Sequence, residues 1–228
     1  MVGEVSERIG AESDKPARQL LGRDERRAQL LQAAATAFAR EGYAATSMED
    51  VGAEAGVTKL IVYRHFSSKE ELYRDVLTQV SRRLHDEFLR GLNLPDSERH
   101  GFMSRSILIV ARENPDGFRL LTTHAAREAQ FAGLSQEFAE QGLHTADLMI
   151  GDMIPDATVK RWASKVIVGY LVQGVLAWLE SGDPDRDDEF VELATQGLLA
   201  MFLAWADHER VPEPLRRAMA ENTRAAGR

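Results

Sequence analysis

The 228-residue chain has no cysteine. Disulfides, thiol nucleophiles and cysteine-ligated zinc are excluded, and a reducing cytosol fits. Long apolar runs are missing as well. The longest, Val166 to Leu179, is 14 residues and is interrupted by Gln173. That is too short for a membrane span and suits a buried helix. The opening MVGEVSERIGAESDKPARQL has no apolar centre, so no secretory signal is expected there. There is no internal repeat, low-complexity segment or convincing strand pattern. H-E-x-x-H, G-x-S-x-G and phosphate-cradling loops are also absent. His124 with Glu128 and His144 with Asp147 have helical ligand spacing, but nothing completes either set. The acidic run from Asp183 resembles a calcium loop until its sixth and twelfth positions, where Asp188 and Ala194 replace the required glycine and glutamate. The expectation is a protein that is not an enzyme and holds neither a metal nor a cofactor.

Acidic residues are missing from one stretch in particular. The chain carries a net charge of −8 and a pI near 5.3. Between Ala55 and Lys69, however, there is no Asp or Glu, while Lys59, Arg64, His65 and Lys69 stand among the hydroxyls of Thr58 and Tyr63. A local contact with an anion is indicated, rather than a generally sticky polycation.

The same stretch has the punctuation of two short helices joined by a tight turn. Ser47 with Asp50 forms a capping-box pattern. Val51 and Ala55 give the first helix an inner face, and Gly56 stands where a helix end favours positive φ. Thr58 can cap a second helix running to about Phe66, with Val57, Val62 and Phe66 inward. Ser68 and Glu71 open the next. Basic and hydroxyl groups on the outer side of a short helix suit a DNA groove, because they neutralise phosphate and fix register on the backbone.

Periodicity predicts a preceding helix over 24–41, with Leu31, Ala34 and Phe38 on one face and Gly42 ending it. A long helix over 69–92 carries the stripe Leu72, Val76, Val80, Leu84 and Phe88. Further helices are expected over 96–114, 118–128, 134–153 after an interruption at Gly133, about 157–180 and 187–208. Residues 1–22 read as a flexible arm and 212–228 as a frayed or disordered tail. The fold class is all-α, with a three-helix head at 23–70 and a larger helical body at 71–211.

GVTKLIVYRHFSSKEELY resembles the recognition-helix signature of the TetR family of bacterial transcription repressors, through Gly56, Val57, Lys59, Tyr63, His65, Phe66, Ser68, Lys69 and Leu72. Arg26 to Ser47 is similar to that family's first helix. The likeness covers roughly residues 23–75. It departs at Leu60 and Ile61, where small or hydroxyl residues are usual. One of the two is expected to meet a thymine methyl, with Ile61 packed inside as the alternative.

The resemblance implies a cytoplasmic, nucleoid-associated regulator, most simply a repressor. It would bind a palindromic double-stranded operator as a homodimer and be released by a small-molecule effector, with no membrane partner. Candidate DNA contacts are Ser47, Thr58, Lys59, Leu60, Tyr63, Arg64, His65 and Lys69. Of these the family's pattern assigns Thr58, Tyr63 and Lys69 to phosphate. Candidate lining residues for a largely apolar effector are Phe102, Ser106, Phe118, His124, Trp162 and Gln173. The last two long helices would pair with their copies through Gly174, Val175, Trp178, Leu198, Met201, Phe202 and Trp205.

Overall fold

The structure is a computed structural model that describes residues 22–95, 100–213 and 216. The expected arm, but for Gly22, and most of the expected tail lie outside the described residues. Within the described residues every regular element is helical. The α-helices are α1 (Arg23–Glu41), α2 (Met48–Glu54), α3 (Lys59–His65), α4 (Lys69–Leu92), α5 (Phe102–Glu113), α6 (Pro115–Arg119), α7 (Ala132–Ile150), α8 (Ala157–Ser181) and α9 (Asp187–Trp205). A π turn (Leu120–His124) and a 3-10 turn (Ala125–Arg127) join α6 to α7, and a second 3-10 turn (Pro184–Arg186) precedes α9.

The head forms as its caps dictate. Ser47 Oγ accepts from the Asp50 amide at 3.2 Å while the Asp50 carboxylate takes the Ser47 amide at 2.8 Å. Gly56 adopts φ +66° and turns the chain into α3. Gly52, inside α2, lets that turn lie close, since a Cβ there would stand 3.0 Å from the Val57 carbonyl. α1 buries Ala33, Ala34, Ala35 and Ala37 together with Leu30, Leu31 and Phe38, so α2 and α4 can pack closely against it.

Head and body share one core. Tyr73 on α4 lies with its ring 4.9 Å from Phe38, 5.0 Å from Tyr43 and 4.4 Å from Phe131, just before α7. Such edge and tilted ring pairs contribute beyond their buried area. Burial pushes the Tyr73 phenol up to about 12.

α5 starts at Phe102 rather than 96, α7 ends at Ile150 and α9 at Trp205, each a few residues short of the sequence reading, and two stretches differ further. Gly133 lies within α7, exposed with nothing near it, and does not interrupt the helix. The helix expected over 118–128 divides into α6, the π turn and the 3-10 turn. There Thr122 and Thr123 turn their hydroxyls back onto the carbonyls of Phe118 and Arg119 at 2.7 and 2.6 Å, a bond that competes with regular helix.

One carboxylate joins three helices of the body. Asp187, opening α9, accepts from Arg112 of α5 at 2.8 and 3.0 Å and from the Trp178 indole of α8 at 2.7 Å. The hydrogen-bonded Arg112 guanidinium holds the Asp187 carboxyl below its ordinary value of 3.8. The folded value is depressed, so the stabilisation is complete above the unfolded value and fades as pH falls through the folded one. Asp187→Asn is expected to remove about 1.5–3 kcal/mol at pH 7. Thermal melts should show the gap between variant and parent narrowing at acid pH.

Candidate nucleic-acid interface

α3 is held by few residues. Val62 and Phe66 are buried, and Ile61, His65 and Val57 half-buried. A seven-residue helix is marginal alone, so these contacts and its two flanking turns position it. The opposite face is open. Thr58, Lys59, Leu60, Tyr63 and Arg64 are all exposed, Leu60 at 62% and Tyr63 at 46%. Leu60 and Ile61 therefore separate, with Leu60 outward and Ile61 against the head. Lys59 Nζ lies 5.9 Å from the Tyr63 ring centroid, so cation and phenol form one patch. The Thr58 side chain makes no capping bond to α3.

His65 borders this face. Desolvation, then the neighbouring Arg23, Arg27 and Arg26, hold its imidazole below the ordinary 6.5. The α1 arginines thus extend the cationic strip beyond α3. The sequence showed them but gave no means of placing them beside His65. Arg27 itself pairs with Asp75 and lies 4.6 Å over the Phe66 ring, which fixes it to the scaffold.

Two of the expected DNA contacts, Ser47 and Lys69, are engaged within the protein. The Ser47 hydroxyl donates to Asp50 at 2.6 Å as part of its cap. Lys69, expected to hold phosphate, directs its ammonium at the carbonyls of Tyr43 and Thr46, both 2.8 Å away, and of Ala44 at 3.2 Å. It also lies 4.6 Å over the Tyr43 ring. An ammonium has three protons, and all three have protein acceptors. Lys69 is therefore a clamp between the start of α4 and the α1–α2 loop, with its ammonium turned into the fold.

The body contains an open cavity between α4, α5, α7 and α8, with an empty volume of about 780 Å³ that includes the solvent space at its mouth. Leu84, Phe88, Met103, Ile107, Phe138 and Leu171 form much of its wall, and Ser106 lines it as expected. The other expected lining residues do not reach it. Phe102 packs onto Gly91, where a Cβ would stand 2.4 Å from its ring, and faces a separate recess. Phe118 is wholly buried in the main core. His124 ends the π turn away from the cavity. Trp162 is 49% exposed, with its ring 4.6 Å from that of Trp205, and Gln173 is exposed.

Among the expected interface residues, Val175 and Leu198 are buried within the single chain. Trp178 stacks on Phe190 at 5.2 Å and is bonded to Asp187. Gly174, Met201, Phe202 and Trp205 are half-buried. The open face of the last two helices instead carries Val159, Trp162, Gly169, Tyr170, Gln173 and Ala177 of α8 with Leu193, Ala200 and Ala204 of α9. No group of three or more His, Asp or Glu able to hold a metal occurs among the described residues.

The Lys69 clamp is testable without DNA. Lys69→Met retains the stem but leaves three carbonyls without their donor. A loss of roughly 1.5–3 kcal/mol is expected, read as a lower urea midpoint at unchanged m value.

Residues 30–76 match the family described as bacterial regulatory proteins, tetR family. The HTH-type transcriptional activator FasR of Mycolicibacterium smegmatis is 30% identical over 196 residues, covering 84% of this chain and 87% of that protein. The HTH-type transcriptional repressor Rv3405c of Mycobacterium tuberculosis is 39% identical over 101 residues, 42% of this chain and 50% of its own length. A TetR-like transcriptional regulator from Rhodococcus sp. RHA1 superposes with a TM-score of 0.63 at 19% identity, covering 78% of this chain and 98% of the other. With a helix-turn-helix head, a helical body and a likeness running through nearly the whole of a named regulator, the chain belongs to the TetR family of bacterial transcriptional regulators.

Proposed function

We propose that the protein binds a palindromic operator as a homodimer and leaves it when a largely apolar small molecule enters the body cavity. The observation that carries the DNA-binding part is the outer face of α3, exposed, free of acid and built from Thr58, Lys59, Leu60, Tyr63 and Arg64. Lys59 and Arg64 suit phosphate or guanine O6/N7, and Leu60 a thymine methyl.

Dimerisation is supported by α8. It is 25 residues long and strongly apolar, yet only 33% of its most apolar stretch is buried. By length and composition alone such a helix could cross a bilayer. Its packing against α5, α7 and α9 favours a soluble body with an apolar face left for a second copy. Two heads on half-sites about 34–36 Å apart then gain effective concentration over one.

Repression by occupying a promoter is the simplest mode. A second reading, activation, is favoured by FasR, the named activator whose likeness spans most of both chains. A promoter-reporter fusion in cells with and without the protein separates them by the sign of the change.

Mobility shifts with genomic promoter fragments test the first reading, and the absence of any retained fragment would overturn it. Lys59→Ala should weaken binding and lower the slope of log K against log salt by about 1. Cavity control is tested separately at Gly142, whose absent Cβ would face Val168 at 3.5 Å. Gly142→Phe should fill the space and leave operator binding intact while making it insensitive to effector. Undiminished release would exclude this cavity as the effector site.

A further inference from the structure

The cavity has a polar mouth of a particular kind. Ser81, His85 and Gln141 line both the apolar chamber and a second recess, which adds the exposed Arg82 with Thr78 and Glu137, and the leucines Leu77, Leu121 and Leu134. On α4 the positions Thr78, Ser81, Arg82 and His85 fall three and four apart, so one polar stripe runs along the entrance. Beyond it Leu84, Phe88, Met103 and Ile107 make the interior largely apolar, with Ser106 and Thr145 also on its wall.

Arg82 stands out by its lack of a partner. Of the described arginines on α4 and α5, Arg74, Arg83, Arg90, Arg105 and Arg112 each pair with a carboxylate. Among the described residues no ion pair or hydrogen bond engages Arg82, although Glu137 of α7 faces the same recess. A guanidinium offers five donors in a plane suited to carboxylate or phosphate oxygens. His85 adds a ring nitrogen beside it. An occupant with a neutral head would leave this cation to water. One with an anionic head would satisfy it while its tail filled the chamber.

Resting on the reading of the cavity as the effector site, we propose that the effector is an anionic single-tailed amphiphile. Its hydrocarbon tail lies between α4, α5, α7 and α8, and its acidic head meets Arg82 and His85 at the mouth. A carboxylate and a phosphate-bearing head share this chemistry.

The test compares decanoate, decyl phosphate and 1-decanol, which share a tail, by titration calorimetry on the full-length protein below their micelle concentrations. The anions are expected to bind about fivefold or more tightly than the alcohol, in keeping with one partly exposed ion pair. Arg82→Gln should abolish that preference and leave decanol binding unchanged, whereas Arg82→Lys should restore most of it. Glu137→Gln, which removes the opposing charge, should tighten the anions only. The better of decanoate and decyl phosphate identifies the head. Equal binding of alcohol and anions, or an Arg82→Gln protein that keeps the preference, overturns the anionic head while leaving the cavity assignment standing. Failure of all three compounds to bind a protein that still shifts DNA overturns the cavity assignment and this proposal with it.

Discussion

An ammonium surrounded by main-chain carbonyls sets the geometry of the head. Lys69 closes on Tyr43, Ala44 and Thr46 and so ties the first residue of α4 to the loop that leads into α2. α2 and α3 are seven residues each, too short to persist unaided. Their position rests on the alanine-rich face of α1, on Val62 and Phe66, and on the two ends of chain that enter and leave them. Lys69 fastens both ends together. The ring of Tyr43 below the ammonium belongs to the same aromatic group as Tyr73 and Phe131, so the clamp is continuous with the body's core.

Most of the head was legible because its signals are local. The Ser47 cap, Gly56 and the start of α4 at Lys69 follow from side chains reaching their own backbone within a few residues, and sequence displays such contacts directly. The purpose of Lys69 was not legible. Its partners are carbonyls 23 to 26 residues away, and carbonyls have no residue type. A basic residue beside a recognition helix reads the same whether it points to phosphate or back into the fold.

The body was legible as helices but not as faces. α8 is apolar on nearly every side, so periodicity does not separate the core-facing Val175 from the open Gln173 and Ala177. The cavity was misplaced for a related reason. Phe118 was expected to line it but fills the core instead, while the chamber runs along the stripe of α4 at Leu84 and Phe88. An empty space is a property of what neighbouring helices fail to fill, and no single segment records it.

α4 connects these two regions physically. Its start is held by Lys69, and further along Arg83 bridges to Glu113 of α5 at 2.7 and 2.8 Å. The cavity mouth at Ser81 and His85 lies beside that second attachment, about 18–24 Å along the helix from the first at 1.5 Å per residue. A helix restrained at two points transmits a push between them as tilt, because its hydrogen-bonded backbone resists compression. The head is bonded to the end that would swing.

The aromatic residues divide along the same line. All three tryptophans, Trp162, Trp178 and Trp205, belong to α8 and α9, while Tyr43, Tyr63 and Tyr73 lie in the head and the first turns of α4. Indole emission from this chain therefore originates solely in the half farthest from α3, and phenol absorbance mostly in the half that contains it. Apart from Tyr170 on α8, phenol and indole are thus divided between the two halves, and indole emission reports on α8 and α9 without any added label.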